Sequence, residues 1–270
     1  MNVDVILFGL ALSFFAGLAT SLGSGIIYFI NFKDRDLSKI LSISLGISAG
    51  VMIAISVFEL IPYTLEQTDF ISTVFAFFTG FIGIMIIDVL VPHSYKEEDS
   101  TSTKLTQVFE TDDSSKQMDE VKRVGYFTAF GLAIHNLPEG LASFSGFIIS
   151  PILGITTAIA IAIHNIPEGI SVSVPLTSAG KSKNTSFLIG SFSGLMEPLG
   201  AVITLLILYP FIDEIGTPLA LILSFVAGIM IFISIDELLP LAFKYNLHNL
   251  TSSSILAGMI IMVITLVILD

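Results

Sequence analysis

The stretch Ala133-Ile134-His135-Asn136-Leu137-Pro138-Glu139-Gly140 returns 29 positions later (135 to 164) as Ala162-Ile163-His164-Asn165-Ile166-Pro167-Glu168-Gly169. The two copies differ only at Leu137 and Ile166. Each copy lies inside an apolar run long enough to cross a bilayer, which takes about 20 helical residues. In lipid the backbone finds hydrogen-bond partners only within itself, so such runs must be helical. Two His, two Asn and two Glu inside them are costly and mark a functional site.

The rest of the chain extends this reading. It has 270 residues, 53% hydrophobic and only 13% charged, with a mean hydropathy of +0.91. That is the composition of a polytopic membrane protein, expected to be all-α. The net charge of -12 argues against a nucleic-acid partner and suits a cationic one. With no Cys, structural disulfides and thiolate metal sites are excluded. Eight apolar stretches are expected to span the membrane, near 4–30, 38–62, 71–92, 123–147, 151–177, 185–209, 217–243 and 252–269. The N-terminal run lacks a basic leader and is read as the first span, not a signal peptide. Pro62, Pro92, Gly146, Pro151, Gly180, Pro210 and Pro240 punctuate the ends of the inner spans. The chain, 1–270, is thus one transmembrane domain. Spans one to three cover 4–92, a loop covers 93–122, the motif spans four and five cover 123–177, and spans six to eight cover 185–269.

Basic residues set the expected orientation. Lys33, Arg35 and Lys39 follow span one. Lys96, Lys104, Lys116, Lys122 and Arg123 follow span three, Lys181 and Lys183 follow span five, and Lys244 follows span seven. Every Lys and Arg therefore falls on one side, while the opposite loops carry Glu66, Asp69, Asp213 and Glu214. The positive-inside rule places the basic side in the cytoplasm and both termini outside it, in a multi-pass protein of the cell (inner) membrane. Loop 93–122 is rich in Ser, Thr, Asp, Glu and Lys and reads as an unstructured cytoplasmic segment. A metal-collecting tether would be His-rich, and only His93 is present.

A second repeat is more distant. Gly50-Val51-Met52-Ile53-Ala54-Ile55-Ser56-Val57-Phe58-Glu59-Leu60-Ile61-Pro62 parallels Gly228-Ile229-Met230-Ile231-Phe232-Ile233-Ser234-Ile235-Asp236-Glu237-Leu238-Leu239-Pro240, an offset of 178 (50 to 228). Gly80 then falls on Gly258. An offset of 177 brings Gly17, Leu18, Leu22 and Gly23 onto Gly194, Leu195, Leu199 and Gly200. Spans one to three thus resemble spans six to eight in opposite orientation, and spans four and five are mutually inverted. One pseudo-two-fold axis in the membrane plane is expected to relate a 3+2+3 arrangement. Inverted repeats around a midplane site are a signature of secondary transporters.

On a helix, residues i and i+4 share a face. His135 and Glu139 therefore point together, as do His164 and Glu168, with Asn136 and Asn165 flanking. Imidazole and carboxylate together suit Zn, Fe, Mn, Co or Ni, and the Asn oxygen is a weaker ligand that favours exchange over capture. Pro138 and Pro167 each remove a helix hydrogen bond and displace the carbonyls of Ile134 and Ile163. Gly140 and Gly169 are expected to let the two motif helices approach. Glu197, in Met196-Glu197-Pro198-Leu199-Gly200, lies near the middle of span six, and its repeat counterpart is Thr20. The scaffold therefore does not require a carboxylate there. Glu59, Asp88, Asp236 and Glu237 lie near span ends, as pathway residues or as solvated helix ends. His248 reads as a surface residue.

The paired His-Asn-x-Pro-Glu-Gly motifs, followed by Met-Glu-Pro-Leu-Gly, resemble the ZIP family of divalent metal-ion transporters over the whole chain. The resemblance implies a two-metal site at the midplane. His135, Glu139, His164 and Glu168 would bind one metal, and Asn136, Glu139, Asn165, Glu168 and Glu197 the other, with carboxylates bridging. It implies import of divalent metal into the cytoplasm, Zn²⁺ foremost, with Fe²⁺, Mn²⁺, Co²⁺ and Cd²⁺ as further cargo. No prosthetic group is expected, and the expected partners are the metal ion, the lipid bilayer and, as a candidate assembly, a second copy in a homodimer. The chain lacks the His-rich loop found in the family. The competing class is an intramembrane metal-dependent hydrolase, which needs an activated water and a general base. The sequence has no His-Glu-x-x-His to supply them. A receptor or sensor would need an output domain that the sequence does not show.

Overall fold

A computed structural model describes residues 3–30, 37–90, 114–208 and 216–269. Of the expected loop 93–122, residues 93–113 lie outside them, as do Lys33, Arg35, Pro92, Pro210, Asp213 and Glu214; residues 114–122 are not an unstructured segment but the first turns of the helix Ser114–Ile149. Among the described residues the chain is helical throughout, with no strand. Seven helices are long and apolar enough to cross a membrane: Val3–Tyr28, Leu37–Gln67, Phe70–Val89, Pro151–Ser178, Lys183–Ile207, Gly216–Phe243 and His248–Leu269. These are spans one to three and five to eight. Span four lies in the helix Ser114–Ile149, whose apolar run is diluted by its own polar motif.

The spans differ in how much of themselves they hide. In the apolar window of each, 72% of the residues of spans two and five and 67% of span seven are buried, against 17% for spans three and eight. Spans two, five and seven are therefore interior, and spans three and eight lie at the periphery. Large apolar side chains such as Phe8, Phe15, Phe75 and Val267 are exposed, a surface that suits lipid and not water. Between spans five and six the chain turns at Gly180, whose φ of 81° lies in the left-handed region that favours glycine. Ser182 then caps span six by accepting the Thr185 N–H at 3.1 Å.

Proline acts differently from expectation at Pro62 and in the motif helices. Span two does not stop at Pro62; it runs on to Gln67. The preceding turn, Ser56–Leu60, widens into a π-helix, so that the Ile61 N–H bonds to Ser56 O. Ser234–Leu238, before Pro240, does the same, with Leu239 N–H on Ser234 O. A wider turn accommodates a proline that a regular ladder rejects. The motif helices are likewise continuous through Pro138 and Pro167. The interruption falls in span six, between Lys183–Gly194 and Met196–Leu208. Pro198 cannot donate to the Gly194 carbonyl four residues back, so the ladder fails there.

The helices meet where glycine removes a side chain. Gly140 and Gly169 do not face one another: a Cβ on Gly140 would fall on the Glu197 carbonyl, and one on Gly169 on that of Thr20. The motif helices are thus each pressed onto a different neighbour, span six and span one, which is why their glycines are not spent on each other. These contacts are repeat equivalents, since Thr20 and Glu197 occupy matching positions. The pattern recurs. Gly50 packs on the Ile255 carbonyl as Gly228 packs on that of Phe77, and Gly80 on Phe225 as Gly258 on Ile47.

Candidate metal centre

All seven candidate residues lie at the centre of this packing. Asn136, Glu139, His164, Asn165, Glu168 and Glu197 are 0% exposed and His135 is 2%. Spans four and five bring the His and Glu residues together because i and i+4 share a helix face. One possible ligand atom from each of His135, Glu139, His164 and Glu168 lies within 4.8 Å of all the others. Glu139 Oε1 is 2.8 Å from His164 Nε2 and 3.1 Å from His135 Nε2. Glu168 Oε1 is 3.3 Å from His135 Nε2. His135 Nε2 has ion-pair proximity to both carboxylates but no hydrogen-bond alignment with either.

The tautomer of His164 follows from its partners. Nδ1 is 3.0 Å from the Ala160 carbonyl, which only accepts, so Nδ1 carries hydrogen. That leaves Nε2 as the nitrogen able to ligate. Nε2 faces a carboxylate oxygen at 2.8 Å, a separation that two lone-pair atoms hold with a proton or a cation between them.

Each Asn is clamped through its amide nitrogen. Asn136 Nδ2 donates to Ser193 O at 3.0 Å, beside the break in span six. Asn165 Nδ2 donates to Ala16 O at 3.1 Å and also to Glu197 Oε1. Residues 16 and 193 are repeat equivalents, so the two clamps are the same device. Using the nitrogen as donor leaves each Oδ1 for something else. Asn136 Oδ1, Asn165 Oδ1, Glu139 Oε2, Glu168 Oε2 and Glu197 Oε2 are all buried and make no hydrogen bond with the described residues. A buried polar group without a partner costs roughly 1–3 kcal/mol. Five such oxygens around two imidazoles are a donor set that fits a divalent cation of borderline softness.

Two features extend the site beyond these seven residues. Ser48 of span two donates to Glu168 Oε1 at 3.3 Å; no motif marks it in the sequence. Asp88, Asp236 and Glu237, read as ambiguous span-end acids, line one cavity with Gly131, Phe232 and His135. Glu59 does not share that cavity. His248 is exposed, its ring tilted at 30° to that of Phe243 with centroids 5.7 Å apart.

Helix count, buried His/Glu cluster and unsatisfied oxygens together define a multi-pass membrane protein with a buried candidate cation site. The model of the ZIP zinc transporter family matches residues 93–266, and the chain belongs to that family. It is 41% identical to the zinc transporter ZupT of Chlorobaculum parvum (strain DSM 263 / NCIMB 8327) over 274 residues, 98% of each chain. It is 41% identical over 278 residues to the zinc transporter ZupT of Lysinibacillus sphaericus (strain C3-41), covering 100% of both. The corresponding protein of Clostridium perfringens (strain 13 / Type A) is 39% identical over 284 residues, 99% of this chain and 98% of its own.

Proposed function

We propose that the chain imports divalent transition-metal ions, zinc foremost, across the cell membrane into the cytoplasm, through two adjacent cation positions at the midplane. The observation that carries this is the buried His135–Glu139–His164–Glu168 cluster, on motif spans that, with span six, hold five buried oxygens without hydrogen bonds to the described residues. His135, Glu139, His164 and Glu168 form one position. Asn136, Asn165 and Glu197 join Glu139 and Glu168 at the other, the two glutamates bridging through their separate oxygens. An arriving cation takes His164 Nε2 and Glu139 Oε1 and displaces the proton between them. Weak amide-oxygen ligands let it leave again.

The distribution of Lys and Arg supports termini outside and the loop 93–122 inside. In that orientation the cavity lined by Asp88, Asp236 and Glu237 leads from His135 toward the cytoplasm. Paired contacts at matching repeat positions support the 3+2+3 arrangement about an in-plane pseudo-two-fold axis. The hydrolase reading is not favoured, because the carboxylates of the cluster all serve as ligands and none is left as a general base. The testing experiment is isotope uptake into proteoliposomes with zinc, competed by iron, manganese, cobalt and cadmium. Saturable zinc uptake that unlabelled divalent ions inhibit is the expected result. Absence of protein-dependent uptake, from correctly inserted protein, refutes the reading.

A further inference from the structure

Glu139 and Glu168 occupy matching positions in the two motif copies, yet their surroundings differ. Glu139 Oε1 is flanked by two imidazoles. Glu168 Oε1 has one imidazole, that of His135, and the hydroxyl of Ser48. Ser48 thus takes for Glu168 the place that His164 takes for Glu139.

Three observations set this serine apart from an ordinary helix serine. First, it is fully buried and belongs to span two, which carries no part of the twin motif. Second, its hydroxyl reaches across to another helix. Other buried hydroxyls turn back to their own i-4 carbonyl, as Ser173, Ser234 and Thr204 do, or cross to a hydroxyl or a backbone carbonyl, as Ser42 does to Thr251 and Ser224 to Thr73; Ser48 crosses to a carboxylate. Back-bonding is the local alternative always open to a helical hydroxyl. Third, its repeat counterpart at +178 is Val226, also fully buried. The scaffold accepts an apolar β-branched residue at this position, so helix packing does not call for the hydroxyl.

We propose that Ser48 is a positioning residue for the cation site. Its O–H fixes the rotation of the Glu168 carboxylate, holding Oε1 at the His135 side and leaving Oε2 free for the second cation position. The role is that of an outer donor that orients a ligating carboxylate, a kind of group whose loss costs about 10- to 100-fold in metal affinity. The inference rests on the reading of Glu168 as a ligand of the transported ion.

The test compares Ser48→Thr, which keeps the hydroxyl, with Ser48→Val, which has nearly the same shape and lacks it. Ser48→Ala and Glu168→Ala serve as references. Full-length protein in lipid nanodiscs is titrated with zinc against a chromophoric chelator, and uptake into proteoliposomes gives KM and Vmax. The expected result is a zinc Kd weakened about 10-fold or more in Ser48→Val and Ser48→Ala, with KM raised, Vmax within about twofold, and Ser48→Thr within about threefold of the unaltered protein. Equal Kd values for Ser48→Thr and Ser48→Val overturn the proposal, whether both match the unaltered protein or both are weakened. So does a loss of Vmax at constant Kd, which is the mark of a packing role. If Glu168→Ala itself leaves zinc binding unchanged, the functional reading fails, and that result is distinct from failure at Ser48 alone.

Discussion

At the scale of the residue, the seven motif side chains were legible in the sequence because lipid leaves so few explanations for them. A Glu in the middle of an apolar span has no solvent to meet; all seven are buried, and His135, Glu139, His164 and Glu168 lie together, with Glu197 on Asn165. Ser48 was not legible, since a serine in a helix usually satisfies itself. Carbonyl partners such as Ser193 O and Ala16 O have no side-chain signature at all. Three predictions belong here. Glu139→Ala and Glu168→Ala should each abolish saturable zinc uptake in protein that still inserts and purifies as a single species; normal uptake by either, at normal expression, removes that glutamate from the site. Glu197 differs: it brings one oxygen ligand and leaves the His-Glu pairs whole. Glu197→Ala should therefore depress Mn²⁺ uptake at least several-fold more than Zn²⁺ uptake, since imidazole contributes relatively more to holding zinc. Equal losses make Glu197 obligatory for both ions. Finally, ligation needs deprotonated donors, and His164 Nε2 lies 2.8 Å from Glu139 Oε1, so that in the proposed site a proton holds them together until a cation replaces it. Zinc binding should release protons, seen as a heat that changes with buffer ionisation enthalpy, and apparent affinity should fall as pH drops from 7.5 to about 5.5. Buffer-independent heats across that range contradict the shared proton.

At the scale of the element, hydropathy located the apolar spans to within about five residues, but it missed that the helix of span four begins at Ser114, before the expected 123, and it misread what proline does inside the spans. Pro62 was expected to close span two, and the π-turn at Ser56–Leu60 carries the helix past it to Gln67. Sequence periodicity cannot show this, because the choice between a stop and a widened turn depends on what packs around the proline. Glycines were legible as sites of close approach but not as to their partners. Gly80 and Gly83 of span three give a direct comparison. A Cβ on Gly80 would strike the Phe225 carbonyl, whereas one on Gly83 meets nothing within 4 Å. Gly80→Ala should destabilise the protein by roughly 1–3 kcal/mol through overpacking. Gly83→Ala should be neutral or stabilising by up to about 1 kcal/mol through better helix propensity. Thermal unfolding in one detergent compares them, and equal midpoints contradict the close contact between spans three and seven.

At the scale of the whole molecule, the one-sided distribution of Lys and Arg predicts which loops face the cytoplasm. A cysteine placed at Ser102, in a chain that has none of its own, should react with an impermeant maleimide only after the membrane is opened. Labelling of intact cells reverses the orientation. The internal repeat was legible from Glu-Leu-x-Pro recurring at one offset, while the contacts it governs were not, since an apolar helix gives little sign of which neighbour it will choose. The two π-turns, Ser56–Leu60 and Ser234–Leu238, stand at equivalent places in the repeat. A π-turn bonds i to i-5 where an α-turn bonds i to i-4, so each stores one surplus residue. Deleting Val57 lets the regular ladder close: Ile61 then bonds at i-4 to the same Ser56 carbonyl that it now reaches at i-5, so the residues beyond keep their faces while the bulge is lost. Deleting Ile235 does the same in span seven, at the opposite face of the membrane in the proposed orientation. Each helix thus holds a one-letter surplus that can be removed on one side of the membrane without touching the other.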